Sequence, residues 1–195
     1  MIRQGPSPQI RDFISQYGSY DIVFMNVCRN PIKEYISKAI NILTLGKAKE
    51  KMKELHYDKL FHLYLLISLE KNENLINIRL EKNEVVKIHK IILSYESDCK
   101  MVNISMQNKI NFTVFLNNGI QQQGKSFWLY DAISNNCQVF IMTLLTANKL
   151  GNSEIYTFVK QDILTLLSSP LKKAFRFITD LAVRFDFIKY GKGLL

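Results

Sequence analysis

The sequence predicts an α+β fold in which a small antiparallel sheet packs on a cysteine-bearing helix, with helical segments flanking both. Three observations carry this expectation. Residues 60–69 form an apolar run, 71–74 are polar, and 75–81 alternate Ile76, Ile78 and Leu80 with Asn77, Arg79 and Glu81, the pattern of a hairpin with one buried face. Residues 136–150 carry an apolar stretch that opens after two asparagines and closes before Gly151, the mark of a capped helix. The chain has 195 residues, 47% apolar and 22% charged, which suffices for a single folded core without a metal or disulfide framework.

From the start of the chain, Gly5-Pro6-Ser7-Pro8 leads into a short helix over 9–17 that Gly18-Ser19 breaks. The β-prone run 20–27 reads as a strand. Pro31 sits where proline suits the first position of a helix, and Ile32, Tyr35, Ile36, Ala39, Ile40 and Leu43 follow at helical spacing up to Gly46. Residues 47–59 are charged and read as a linker or a short helix. After the hairpin, 85–88 continues the meander and 90–95 offers a further strand. Residues 110–123 read as a helix bounded by Gly124, and Asn135 or Asn136 caps the helix over 136–150. Two closing helices are expected near 154–168 and 171–189, separated by Ser169-Pro170. The last has Leu171, Phe175, Ile178, Leu181, Phe185 and Ile188 on one stripe and reads as a docking helix.

The net charge is +9, from 26 Lys/Arg and 17 Asp/Glu, with the excess at the two ends and residues 61–148 close to neutral. No dense Lys/Arg run, RNP-type aromatic motif or zinc-finger spacing accompanies that charge, so a specific nucleic-acid partner is not expected. The N-terminus lacks the apolar segment of a signal peptide, and no stretch reaches the ~18 uninterrupted apolar residues of a transmembrane segment. Cys28, Cys99 and Cys137 are an odd number, far apart and without a CxxC pair, which argues against a zinc ribbon and a disulfide-stapled scaffold. A reducing, cytoplasmic compartment follows, and no metal or cofactor is expected.

Of the three cysteines, Cys137 has the reactive setting, at the start of a predicted helix in Asn135-Asn136-Cys137-Gln138-Val139-Phe140. Unpaired amide protons and the positive end of the helix dipole stabilise a thiolate there. A thiol nucleophile also needs a proton acceptor. His62 is the candidate, because it interrupts an apolar strand where an unpaired imidazole costs about 1–3 kcal/mol, whereas His56 and His89 occupy ordinary surface positions. A third group usually fixes the imidazole tautomer. Glu81, ending the adjacent strand on its polar face, is the candidate, with Asn83 as the alternative.

The order of a His on one strand, a polar residue on the next and Asn-Cys-Gln-x-Phe opening a helix resembles the circularly permuted papain-like fold of the NlpC/P60 superfamily. Its lecithin retinol acyltransferase-like branch has a similar Asn-Cys-Glu-x-Phe sequence at the nucleophile. The resemblance covers roughly residues 58–147, leaving 1–57 as an N-terminal strand and helix extension and 151–195 as a C-terminal helical extension of a single domain. It implies that Cys137 is the nucleophile, His62 the general base, the backbone amides of residues 137 and 138 an oxyanion hole, and Tyr130 a pocket residue. The chain departs from that branch in offering Glu81 or Asn83 where a second His is common, and in placing Leu63 and Tyr64 after the first His.

The expected function is therefore a thiol hydrolase or acyltransferase acting on a peptide or isopeptide amide, or on a lipid ester, through Cys137 and His62. The Tyr-x-x-x-x-Asn-Asn-Cys-Gln-x-Phe stretch from Tyr130 and the Leu-Glu-Lys-Asn segment from Leu80 also resemble proteins of large cytoplasmic DNA viruses. That resemblance implies the alternative, a non-catalytic structural protein such as a minor capsid or virion component, docked on protein neighbours through its C-terminal helices.

Overall fold

The computed structural model describes residues 5–31, 50, 61–83, 85–92, 99–131 and 134–160. Ser7 caps helix α1 (Pro8–Tyr17) by accepting from the Ile10 amide at 3.3 Å, Pro8 occupies the first turn, and the Gly18 amide closes the last one on the Ile14 carbonyl. Six strands follow, β1 (Asp21–Pro31), β2 (Phe61–Lys71), β3 (Asn74–Lys82), β4 (Val86–Lys90), β5 (Lys100–Asn103) and β6 (Ile110–Asn111). They form one antiparallel sheet in the order β4-β3-β2-β1-β5, with β6 also paired to β1. Helices α2 (Phe112–Gln123), α3 (Cys137–Ala147) and α4 (Ser153–Val159) complete the described part, with a short 3-10 turn at Gly124–Trp128.

Strand alternation sends two sets of side chains to opposite faces. Met25 and Val27 of β1, Leu63, Leu65, Ile67 and Leu69 of β2, Ile78 and Leu80 of β3, and Val86 and Ile88 of β4 enter the core with Phe140, Ile141, Leu144 and Leu145 of α3. Each such side chain contributes roughly 1.5–3 kcal/mol on burial, so the helix is fixed to the sheet by its sides and not by its caps. α2 lies close against α3 at Gly119, where a Cβ would stand 2.6 Å from Leu144 Cδ2. The opposite face of the sheet carries Asn26, Cys28, Tyr64, Leu66 and Ser68, together with Asn77, Arg79 and Glu81.

Several expectations change. Pro31 ends β1, paired with Phe61, while the helix expected over 32–43 lies outside the described residues, as do 47–49 and 51–59 of the charged segment. β1 lies between β2 and β5 in the sheet. Of the strand expected at 90–95, Lys90 ends β4, Ile91 and Ile92 lie outside any strand and 93–95 are undescribed; the next described strand is β5 at Lys100–Asn103. The helix expected over 154–168 stops at Val159, with Lys160 extended, and residues 161–195, including the docking helix, lie outside the described residues. Among the described residues no helix is long and apolar enough to cross a membrane.

Candidate active site

Cys137 opens α3 directly after Asn136, which is the cap: its side-chain oxygen accepts from the Gln138 amide at 3.0 Å and the Val139 amide at 3.2 Å. Asn135 has another task. It accepts from Gln123 Nε2 and from Lys82 Nζ, each at 2.8 Å, and donates to the Ser126 and Leu129 carbonyls at 2.6 and 2.7 Å. All its polar capacity is used to tie the loop before α3 to the end of β3 and the 3-10 turn.

His62 stands near the start of β2 and Glu81 near the end of β3, the same end of the sheet, since Tyr64 pairs with Glu81. His62 and Glu81 are thus diagonal neighbours on one face. His62 Nε2 bonds Glu81 Oε2 at 2.8 Å, and the imidazole also hydrogen-bonds the Cys137 sulfur, for which Nδ1 is the remaining ring nitrogen. The amides of Leu63 and Gln138 donate to the same sulfur. The structure thus brings Cys137, His62 and Glu81 together, and Glu81, not Asn83, meets the imidazole. Asn83 instead donates its backbone N–H to the Val85 carbonyl in the turn to β4.

The electrostatics of the three groups are linked. Burial opposes charge on His62, but the hydrogen bonds and charges of Cys137 and Glu81 outweigh it and raise the imidazole to about 9. Burial likewise opposes a Cys137 thiolate, yet the His62 contact and the Leu63 and Gln138 amides bring the thiol below its ordinary value. Glu81, also opposed by burial, is lowered to about 2 by His62 and Arg79. The arrangement favours thiolate, imidazolium and carboxylate in a row. The His62 side chain is 24% exposed and that of Glu81 8%, while Cys137 is half-buried.

Four residues around this row were not singled out by sequence reasoning. Arg79 donates to Glu81 Oε2 through Nε at 3.0 Å and Nη2 at 2.9 Å, and its guanidinium lies 3.8 Å over the Tyr64 ring. Tyr64 in turn stacks near His62, ring centroids 6.4 Å apart. His89 Nε2 is 3.8 Å from Glu81 Oε1. Lys82, 0% exposed, points the other way from Glu81 and reaches the head of α3, where burial lowers its ammonium to about 8 against the opposing pull of Cys137. Burying an ammonium costs several kcal/mol, so its presence there calls for a reason.

Of the two amides expected to hold an oxyanion, that of Gln138 is already engaged by Asn136 Oδ1 and the sulfur. Phe127 packs in the core against Trp128 and Phe140, centroids 5.0 and 5.1 Å away, while Tyr130 is half-buried. Cys28 is fully buried on the far face of the sheet with its thiol pushed up by burial, and Cys99 contacts the Tyr64 hydroxyl at 3.3 Å. Among the described residues no group of three or more His, Cys, Asp and Glu side chains is arranged to hold a metal ion. Compared with known protein families, with curated proteins and with solved structures, the chain matches none of them.

Proposed function

We propose that this chain is a cysteine-nucleophile hydrolase or acyltransferase of permuted papain-like architecture, acting on an amide or ester bond. The observation that carries the reading is the His62 imidazole bonded on one side to the Cys137 sulfur and on the other to Glu81 Oε2 at 2.8 Å. The Cys137 thiolate attacks a carbonyl carbon and forms a C–S bond. The oxyanion is stabilised at the head of α3 by the Cys137 amide, one of the first-turn donors without an intrahelical acceptor. Collapse expels the amine or alcohol, which takes the proton from His62, leaving a thioester. Water or another acceptor then gives its proton to His62 while attacking the thioester, and the thiolate returns. Glu81 keeps the imidazole oriented and stabilises its charged form.

The non-catalytic alternative, a virion or capsid component keeping the fold, fits a sulfur sealed from solvent. The half-buried Cys137 and the 24% exposure of His62 favour turnover instead. Intact-mass analysis after incubation with small activated esters and peptide thioesters tests the reading. A single acyl adduct on Cys137 that decays in water is expected, absent in Cys137→Ala and slowed by at least about a hundredfold in His62→Ala. Labelling spread equally over Cys28, Cys99 and Cys137, or no adduct at all, would remove the reading.

A further inference from the structure

We propose that Lys82 is a positioning residue whose buried ammonium, lodged beneath the head of α3, holds Cys137 as the thiolate. This inference deepens the proposed function and rests on reading Cys137 as the nucleophile. Along β3 the core-facing positions run Ile76, Ile78, Leu80 and then Lys82, so a charged side chain occupies a register built for apolar ones. It is 0% exposed. Its Nζ donates to Asn135 Oδ1 at 2.8 Å and to the Ser126 carbonyl at 3.4 Å, and stands 5.7 Å from the centroid of the Phe140 ring. All three are neutral, and among the described residues no carboxylate lies within ion-pair distance of it.

The site chosen for this cation is also the wrong one for a helix alone. Asn135 precedes Cys137 by two residues and Phe140 lies in the first turn of α3, so the ammonium sits at the positive end of the helix dipole, where anions are favoured and cations are not. An apolar side chain of equal length would avoid both penalties. The group that can offset them is an anion at the same place, and Cys137 is the ionisable side chain whose charge acts on Lys82. His62, backed by Glu81 and Arg79, meets the sulfur from one face of the sheet, and Lys82 lies on the other face with its Nζ on Asn135, two residues before Cys137. Asn135, fixed by its four bonds, keeps the ammonium in place without neutralising it.

The pH dependence of Cys137 alkylation by iodoacetamide tests this on the full chain. Lys82→Met should raise the apparent thiol pKa by about one unit, which is about a tenfold slower reaction at pH values below it, while Lys82→Arg, which keeps the charge, should recover most of the rate. A folded Lys82→Met protein with the wild-type profile overturns the proposal. Should that variant fail to fold, the reciprocal measurement remains. The Lys82 ammonium, followed by NMR in ¹⁵N-lysine protein, should titrate at lower pH in Cys137→Ala than in the wild type, and an unchanged titration overturns the proposal as well. A shifted thiol in a protein that turns over no acyl substrate would sink the catalytic reading and leave this one standing. Turnover with an unshifted thiol would do the reverse.

Discussion

Glu81 Oε2 receives His62 Nε2 at 2.8 Å and two Arg79 N–H groups, while Oε1 faces His89 at 3.8 Å, so one carboxylate organises three partners that can carry positive charge. Replacing it by Gln keeps an acceptor of similar shape and removes the charge. Glu81→Gln should let the His62 imidazole fall from about 9 toward its ordinary 6.5 and raise the Cys137 thiol, because the charged imidazole loses one support and the thiolate loses part of its counter-ion. The high-pH limb of acyl transfer moves down by at least about one unit, and turnover at neutral pH drops by about tenfold. A pH–rate profile that stays in place in this variant would make Glu81 a bystander. At this scale the row was legible because each member breaks its local pattern: an imidazole in an apolar strand, a cysteine after a cap, a carboxylate at a strand end. Lys82 breaks the pattern just as plainly, since it continues the series Ile76, Ile78, Leu80, but its neighbours Glu81 and Asn83 made it read as one of a polar cluster at a strand end. Arg79 shares a face with Glu81 by the same alternation, yet no sequence rule says that it turns toward that carboxylate instead of toward solvent.

The β2–β3 hairpin carries two of the three residues, so its register sets the site. Its turn places Asn72 at φ 49° and Glu73 at φ 64°, both left-handed, as a two-residue turn matching the twist of the strands requires. Asn tolerates that region and Glu does not, so Glu73→Gly should stabilise the chain by about 0.5–1 kcal/mol, read as a higher urea midpoint with unchanged m-value. A lower midpoint would mean that the Glu73 side chain makes a contact worth more than the strain. The hairpin was legible from its alternation, and α3 from its cap and period. The end of β1 and the whole of β5 were not. β1 runs on through Arg29, Asn30 and Pro31, polar or helix-start residues in a local reading, because β2 pairs with it along its full length, while β5 pairs only from Asn26 to Arg29, so that among the described strands Pro31 borders β2 alone. β5 is a four-residue, mostly exposed edge strand with no apolar run to announce it.

At the scale of the molecule, the sheet order joins Asn26 to Asn103 and Val27 to Leu65, pairings between residues remote in sequence that local patterning does not encode. Those pairings bring opposing titrations to one end of the sheet, and their sum governs stability against pH. Glu81, lowered from 4.5 to about 2, contributes stability that is full above about 4.5 and disappears as pH falls toward 2. His62, raised from 6.5 to about 9, contributes stability that is full below 6.5 and disappears as pH rises through 9. Lys82 works the other way: lowered from 10.5 to about 8, its buried charge penalises the folded state below 8, and the penalty is relieved by ~1–3 kcal/mol as pH climbs toward 10.5. Cys137, a lowered thiol, adds stability over the range up to its ordinary value of 9.0. The wild type should therefore stay close to level from about pH 4.5 to 9, because the loss at His62 above pH 6.5 is offset by the gain at Cys137 and, from about pH 8 upward, by the gain at Lys82. Lys82→Met removes the gain that begins near pH 8, so its urea midpoint should fall away from the wild-type curve between pH 8 and 10.5. Parallel curves for the two proteins over that range would mean that the buried ammonium titrates at its ordinary value.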